Sequence, residues 1–200
     1  LFLKRLTPII ESKGLIPTHQ FGFRKQHGTT EQVHRLVETI HETFEKKQYC
    51  TAVFLDISQA FDKVWHDGLL FKIKNILPIN YYLFTKSYLQ NRLFYVKEEG
   101  DISDLKTISA GVPQGSVMGP TLYLLYTSDL PQPEGVIIGT FADDTAALAV
   151  DKNHTNASLT LQKCLNDISS WLKTWRIKAN ESKSVQVTFT LNHQACPPII

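Results

Sequence analysis

The sequence predicts an α+β fold, and three observations predict it. Two stretches carry apolar residues at helical spacing, and two others read as short strands. A third, "GTFADDTAALAV" (139–150), sets a pair of carboxylates between two apolar runs. At 200 residues the chain suffices for one sizeable core or for two small lobes around a cleft. Hydrophobic residues make up 42% and charged residues 20%, the balance of a folded domain and not of a disordered tail.

The elements follow in order. In "TTEQVHRLVETIHETFEKKQY" the residues Val33, Leu36, Val37, Ile40 and Phe44 form one helical stripe, expected to pack on a core. Thr29 with Gln32 fits a capping box, and Lys46 and Lys47 suit the negative end of the helix dipole. "TAVFLDI" (51–57) is a short apolar run of strand formers that delivers Asp56 to its end. "VIIGTF" and "TAALAV" read as a β-hairpin with Ala142, Asp143 and Asp144 at its exposed turn. A second helix is expected near Ser158–Trp175, with Leu161, Cys164, Leu165, Ile168, Trp171, Leu172 and Trp175 on its core face. "VQVTFTL" (185–191) alternates with period two, as a half-buried strand does.

Composition narrows the function classes. A net charge of +2 and a pI near 8.4 are too mild to argue for nucleic acid alone, although an acidic site would offset a basic groove. Cys50, Cys164 and Cys196 are odd in number and far apart, no CxxC pair exists, and the seven histidines lack ligand spacing. These features predict a reduced, intracellular protein without disulfides or structural zinc. No apolar run approaches the ~18 residues of a membrane span. The chain starts at Leu1 rather than Met and stops at "CPPII", so we expect a piece of a longer protein.

Two adjacent carboxylates repel each other and are costly to bury unless a cation compensates them. If the strand ending at Asp56 lies beside the hairpin, Asp56, Asp143 and Asp144 converge as ligands for a hard divalent cation, most naturally Mg²⁺. The bland alternative is a solvated turn. A rival chemistry, that of haloacid-dehalogenase-type phosphatases, needs an acid two residues after the nucleophile. Ser58 occupies that position, so that reading lacks its proton donor.

Between the acidic segments lies "AGVPQGSVMGPTLYLLYTSDL", in which Gly111, Gly115 and Gly119 surround Pro113 and Gln114 before the chain turns apolar. Glycine at this density lets backbone approach a ligand closely. "QFGFR", "AVFLDISQAFDKVWHDGLL", "SYLQNR", "AGVPQGSVMGP", "LYLLYTSDLP", "FADDTA" and "WRIKANESKS" together resemble, in order and spacing, the reverse transcriptases of non-LTR (LINE-type) retrotransposons of the jockey-like clade.

The resemblance implies a right-hand polymerase fold, an α+β architecture with a palm sheet, helical fingers and no thumb within these residues. It implies a single domain fragment over 1–200 that lacks the early fingers motif and the primer grip. The implied reaction is RNA-templated DNA synthesis from a primer 3′-OH with two Mg²⁺ ions, Mn²⁺ being an alternative. Asp56, Asp143 and Asp144 match the metal-binding acids, with the Ile57 carbonyl an extra ligand. Phe61 matches the aromatic beneath the incoming sugar, and Gln114 with Gly115 the loop near nucleotide and template. Lys183 matches a proton donor to pyrophosphate, its alternative being an exposed loop lysine. Arg24 matches a contact to template or triphosphate, its alternative an ordinary salt bridge. Implied partners are an RNA template, a DNA primer and dNTPs, with an element-encoded endonuclease and an RNA-binding protein; no membrane is involved. The family resemblance also implies location in cytoplasm and nucleus. A second reading is a relic that folds and binds RNA–DNA duplex without turnover.

Overall fold

A computed structural model describes residues 1–192. In chain order its elements are α1 (Phe2–Ser12), α2 (Thr29–Glu45), β1 (Tyr49–Leu55), α3 (His66–Ile76), α4 (Ile79–Leu89), β2 (Leu93–Phe94), β3 (Lys97–Glu98), β4 (Asp101–Ile102), β5 (Lys106–Thr107), α5 (Gly119–Thr127), β6 (Val136–Phe141), β7 (Asp144–Asp151), α6 (His154–Thr174) and β8 (Val185–Phe189). They divide between two compact units. One comprises Leu1–Ile16 with Gln59–Ser128, and the other Pro17–Ser58 with the chain from Asp129 onward.

The second unit carries a four-stranded antiparallel sheet in the order β6-β7-β1-β8. β1 is interior to the sheet, which is why its sequence reads as a nearly continuous apolar run. Alternation sends its side chains to both faces. On one face Val53, Ala147, Ala149 and Ile138 pack against Leu161, Cys164, Ile168 and Leu172 of α6. On the other, Ala52, Ala146 and Leu148 meet Leu36 and Ile40 of α2. Each large apolar side chain fully removed from water here contributes about 1.5–3 kcal/mol. Cys50 and Cys164 are free, and burial pushes both thiols up to about 11, so both stay protonated and inert. Cys196 lies outside the described residues.

The helix α6 starts at His154, earlier than the stripe predicts, because Asn153 caps it. Its Oδ1 accepts the N–H groups of Thr155 (2.8 Å) and Asn156 (3.3 Å). In α2 the expected stripe is rotated. Val33 and Val37 are 55% and 54% exposed, whereas Gln32 and Thr43 are buried. The cause is polar. Gln32 Nε2 donates to the carbonyls of His19 (2.7 Å) and Thr140 (3.0 Å), adding a second bond to acceptors that backbone N–H groups already engage beside β6. The cap also differs from Thr29 with Gln32: Gly28 is the N-cap, and its N–H donates to Glu31 Oε2 at 2.5 Å. Glycine has no side chain to return the bond.

The first unit is helical with two small ribbons, β2–β5 and β3–β4. Leu69 and Ile73 of α3, Leu89 of α4 and Leu122, Leu125 and Tyr126 of α5 are almost fully buried. Lys72, also buried, donates to the Tyr126 carbonyl. Among the described residues no helix is long and apolar enough to cross a membrane.

Candidate active site

The hairpin β6–β7 closes tightly. Phe141 pairs with Asp144, so Ala142 and Asp143 alone form the loop, and Asp144 is the first residue of β7 instead of part of the turn. Ala142 has φ of 58°. A positive φ at the first loop residue only is the pattern of a type II′ turn, which matches the twist of its strands. For a residue with a Cβ this conformation costs roughly 1–2 kcal/mol, so something must hold it.

β1 lies beside β7 with Leu55 opposite Thr145 as the last pair. Carried one residue further, the same register sets Asp56 opposite Asp144. Alternation puts both on the sheet face that carries Ala146 and Ala52. Asp56 and Asp143 are half-buried and Asp144 is exposed. The carboxyl of Asp144 is held above its usual range, first by partial burial and then by repulsion from Asp143 and Asp56. Among the described residues no Lys, Arg or His forms an ion pair with any of the three. Nor, among those residues, do three acidic, His or Cys side chains stand close enough to chelate an ion without moving. Mutual repulsion acts in that direction. Neighbouring carboxylates without a countercharge fit a divalent cation, which would supply the missing charge. Beside Asp144 a cleft of about 270 Å³ is lined by Gln32, Leu36, Phe54, Phe141 and Thr145.

The end of β1 is latched by residues that sequence reasoning passed over. The N–H of Asn180 donates to the Asp56 carbonyl (2.8 Å), and the Asp56 N–H donates to Ser184 Oγ (3.2 Å). Ile57 faces Ala179 across an antiparallel bridge whose bonds run from Asn180 to Asp56 and from Ser58 to Lys178. That pattern leaves the Ile57 carbonyl outside the ladder. Lys183 sits in the same latch, its N–H bonded to the Asn180 carbonyl (3.2 Å) and its side chain exposed.

Arg24 is neither salt-bridged nor extended into solvent. Its Nη1 donates to the carbonyls of Gln20 (3.0 Å) and Pro17 (3.2 Å). In the first unit, the half-buried ring of Phe61 stacks on buried Tyr123, with centroids 4.7 Å apart and planes 22° apart. Gln114 is exposed and its Nε2 donates to Asp62 Oδ1 (2.9 Å). Gly115 has φ of +75°, a conformation that glycine adopts without penalty.

Comparison with known proteins adds to this geometry. The family described as reverse transcriptase (RNA-dependent DNA polymerase) matches residues 1–195. The chain is 45% identical over 207 aligned positions to the RNA-directed DNA polymerase from mobile element jockey of Drosophila melanogaster, covering 100% of this chain and 23% of that protein. It is 44% identical over 199 positions to the probable RNA-directed DNA polymerase from transposon BS of the same fly, covering 96% and 22%. The chain thus spans under a quarter of the length of these relatives. Among solved structures it resembles apo telomerase from Candida tropicalis truncated from its C-terminal domain. That match has a TM-score of 0.66 and 17% identity over 96% of this chain and 43% of that one. Telomerase from Candida albicans in complex with a fragment of telomeric RNA gives a TM-score of 0.61 and 14% identity, covering 98% and 34%. At such identities the likeness speaks to fold alone, an α+β polymerase fold.

Proposed function

Because this chain belongs to the reverse transcriptase family, we propose that it is the catalytic core of an RNA-directed DNA polymerase from a jockey-like non-LTR retrotransposon. The reaction joins a deoxynucleotide to a primer 3′-OH on an RNA template and releases pyrophosphate. One observation carries this reading. Asp56 and Asp144 stand at adjoining strand ends with Asp143 in the turn beside them, and none of the three has a cationic partner among the described residues.

Asp56, Asp143 and Asp144 would hold two Mg²⁺ ions, or Mn²⁺, with the Ile57 carbonyl as a further ligand. When bound, such ions would make the primer hydroxyl more acidic, and so a better nucleophile, and would stabilise charge on the transferring phosphate. The chain's own part is positioning. The Asn180–Ser184 latch fixes the peptide of Asp56 on both sides, and the two-residue turn fixes Asp143. The backbone of Lys183 belongs to that latch while its side chain is exposed, and its ammonium is assigned to protonating the departing pyrophosphate. Phe61, its ring oriented by Tyr123, is assigned to the underside of the incoming sugar, where it would exclude a 2′-hydroxyl. Gln114 and Gly115 are assigned to nucleotide and template contacts. Arg24 supports the Gln20 and Pro17 carbonyls through Nη1, and its remaining guanidinium donors are assigned to template or triphosphate. The element's endonuclease and RNA-binding protein are proposed partners beyond these residues.

The test is primer extension by the full-length element protein on an RNA template. Asp143→Asn keeps the shape of the side chain and removes its charge. Extension is expected to fall by roughly three orders of magnitude or more while binding of RNA–DNA duplex, carried by phosphate contacts, persists. Undiminished extension by the variant would contradict the assignment.

A further inference from the structure

Ala142 is strained by its positive φ, and the carboxylate next to it in the chain is Asp143. One buried side chain reaches over this turn. Gln20 is 4% exposed. Its Nε2 donates to the Ala142 carbonyl (3.0 Å), and its Oε1 accepts the N–H groups of Ala142 (3.0 Å) and Gly22 (2.7 Å). A single planar amide therefore engages both backbone polar groups of the turn residue that carries the positive φ. We propose that Gln20 is a positioning residue for catalysis, clamping the Ala142 backbone and thereby fixing Asp143.

The leverage lies in peptide planarity. The Ala142 carbonyl and the Asp143 nitrogen share one rigid plane. A bond to that carbonyl sets the plane from which the Asp143 Cα projects. The second bond, from the Ala142 N–H, sets the preceding plane. Between them the two bonds fix Ala142 in its unfavourable conformation. The base of the clamp is itself anchored. Phe21 N–H bonds the Thr140 carbonyl and Thr140 N–H the His19 carbonyl, both at 2.9 Å. Gln32 reinforces these two carbonyls and Arg24 holds that of Gln20. Gly22 supplies the room. A Cβ there would lie 2.1 Å from the Ala142 nitrogen and 2.8 Å from its Cα, contacts with backbone that cannot swing aside.

This inference rests on the proposal that Asp143 is a metal-binding carboxylate, and the test separates the two. In the full-length protein, Gln20→Ala is followed by amide hydrogen exchange, by the Mg²⁺ dependence of primer extension and by a melting curve. Exchange at the Ala142 and Gly22 amides is expected to rise roughly tenfold or more. Extension is expected to fall about 10–100-fold with a higher Mg²⁺ requirement, the range found when the support of a metal ligand is removed. Adding Ala142→Gly to Gln20→Ala restores part of the activity, because glycine adopts a positive φ without the clamp. If Gln20→Ala does not fold, Gln20→Glu retains the acceptor for both amides and loses the donor to the Ala142 carbonyl, and the same readouts apply. Unchanged exchange at Ala142 overturns the clamp. A loss of activity that follows the melting temperature alone, with no shift in Mg²⁺ requirement and no recovery from Ala142→Gly, reduces Gln20 to a stability residue. A loosened turn combined with full activity of Asp143→Asn overturns the catalytic reading beneath it.

Discussion

Asp144 enters the folded state at an electrostatic disadvantage. Partial burial and the neighbouring Asp143 and Asp56 raise its pKa above the ordinary carboxylate range. A raised pKa means that the folded state binds the proton more tightly than the unfolded one. Asp144 therefore favours folding at acid pH, and that advantage is lost as pH rises from the unfolded pKa through the raised folded one. Asp144→Asn is thus expected to stabilise the metal-free protein at neutral pH and to flatten this part of the pH profile. The gain is small, on the order of a few tenths of a kcal/mol, because the carboxylate is largely solvated and screened. Melting curves at pH 4 and pH 7 without divalent ions check it; a variant less stable than the parent at pH 7 contradicts the repulsion. The acidic pair was legible because adjacent carboxylates in apolar sequence demand a reason, and Asp56 because it ends an apolar run. Gln20 was not. Its partners are backbone atoms of Ala142 and Gly22, and backbone bonding leaves no residue-type signature at the far end.

At the scale of elements, burial follows the sequence pattern on one face of the sheet and departs from it on the other. The stripe of α6 packs as its spacing predicts, with Leu161, Cys164 and Ile168 each at most 2% exposed. Leu161→Ala is expected to cost about 2–5 kcal/mol, the transfer of the lost atoms plus the cavity they leave. In α2 the periodicity of Val33, Leu36, Val37 and Ile40 is real, yet Gln32 turns the helix so that its amide serves the His19 and Thr140 carbonyls. Hydrophobic spacing cannot register a polar anchor. Val37→Gln should therefore lie within about 0.5 kcal/mol of the parent, as exposed substitutions do. Denaturant unfolding of both variants checks the contrast. A large loss from Val37→Gln would return that side chain to the core.

Across the whole chain, the order of the motifs carried the family and the sheet supplied the reason for their order. The strand before Asp56 and the hairpin around Asp143 are distant in sequence, and antiparallel pairing of β1 with β7 makes them neighbours. The latch after α6 returns the chain to the same strand end through Asn180 and Ser184. Long-range pairing of this kind is invisible to local periodicity; the acidic pair's need for a countercharge suggested it, and the resemblance implied it. The central claim, that these converging acids hold the catalytic ions, is tested most directly by Mn²⁺ binding. The full-length protein, with RNA–DNA duplex and a dNTP analogue that cannot be incorporated, is titrated with Mn²⁺ and followed by electron paramagnetic resonance. We predict a pair of coupled ions in the parent, and loss of at least one of them, with affinity weakened roughly tenfold or more, in Asp56→Asn and in Asp143→Asn. Equal stoichiometry and affinity in parent and variants would contradict the account.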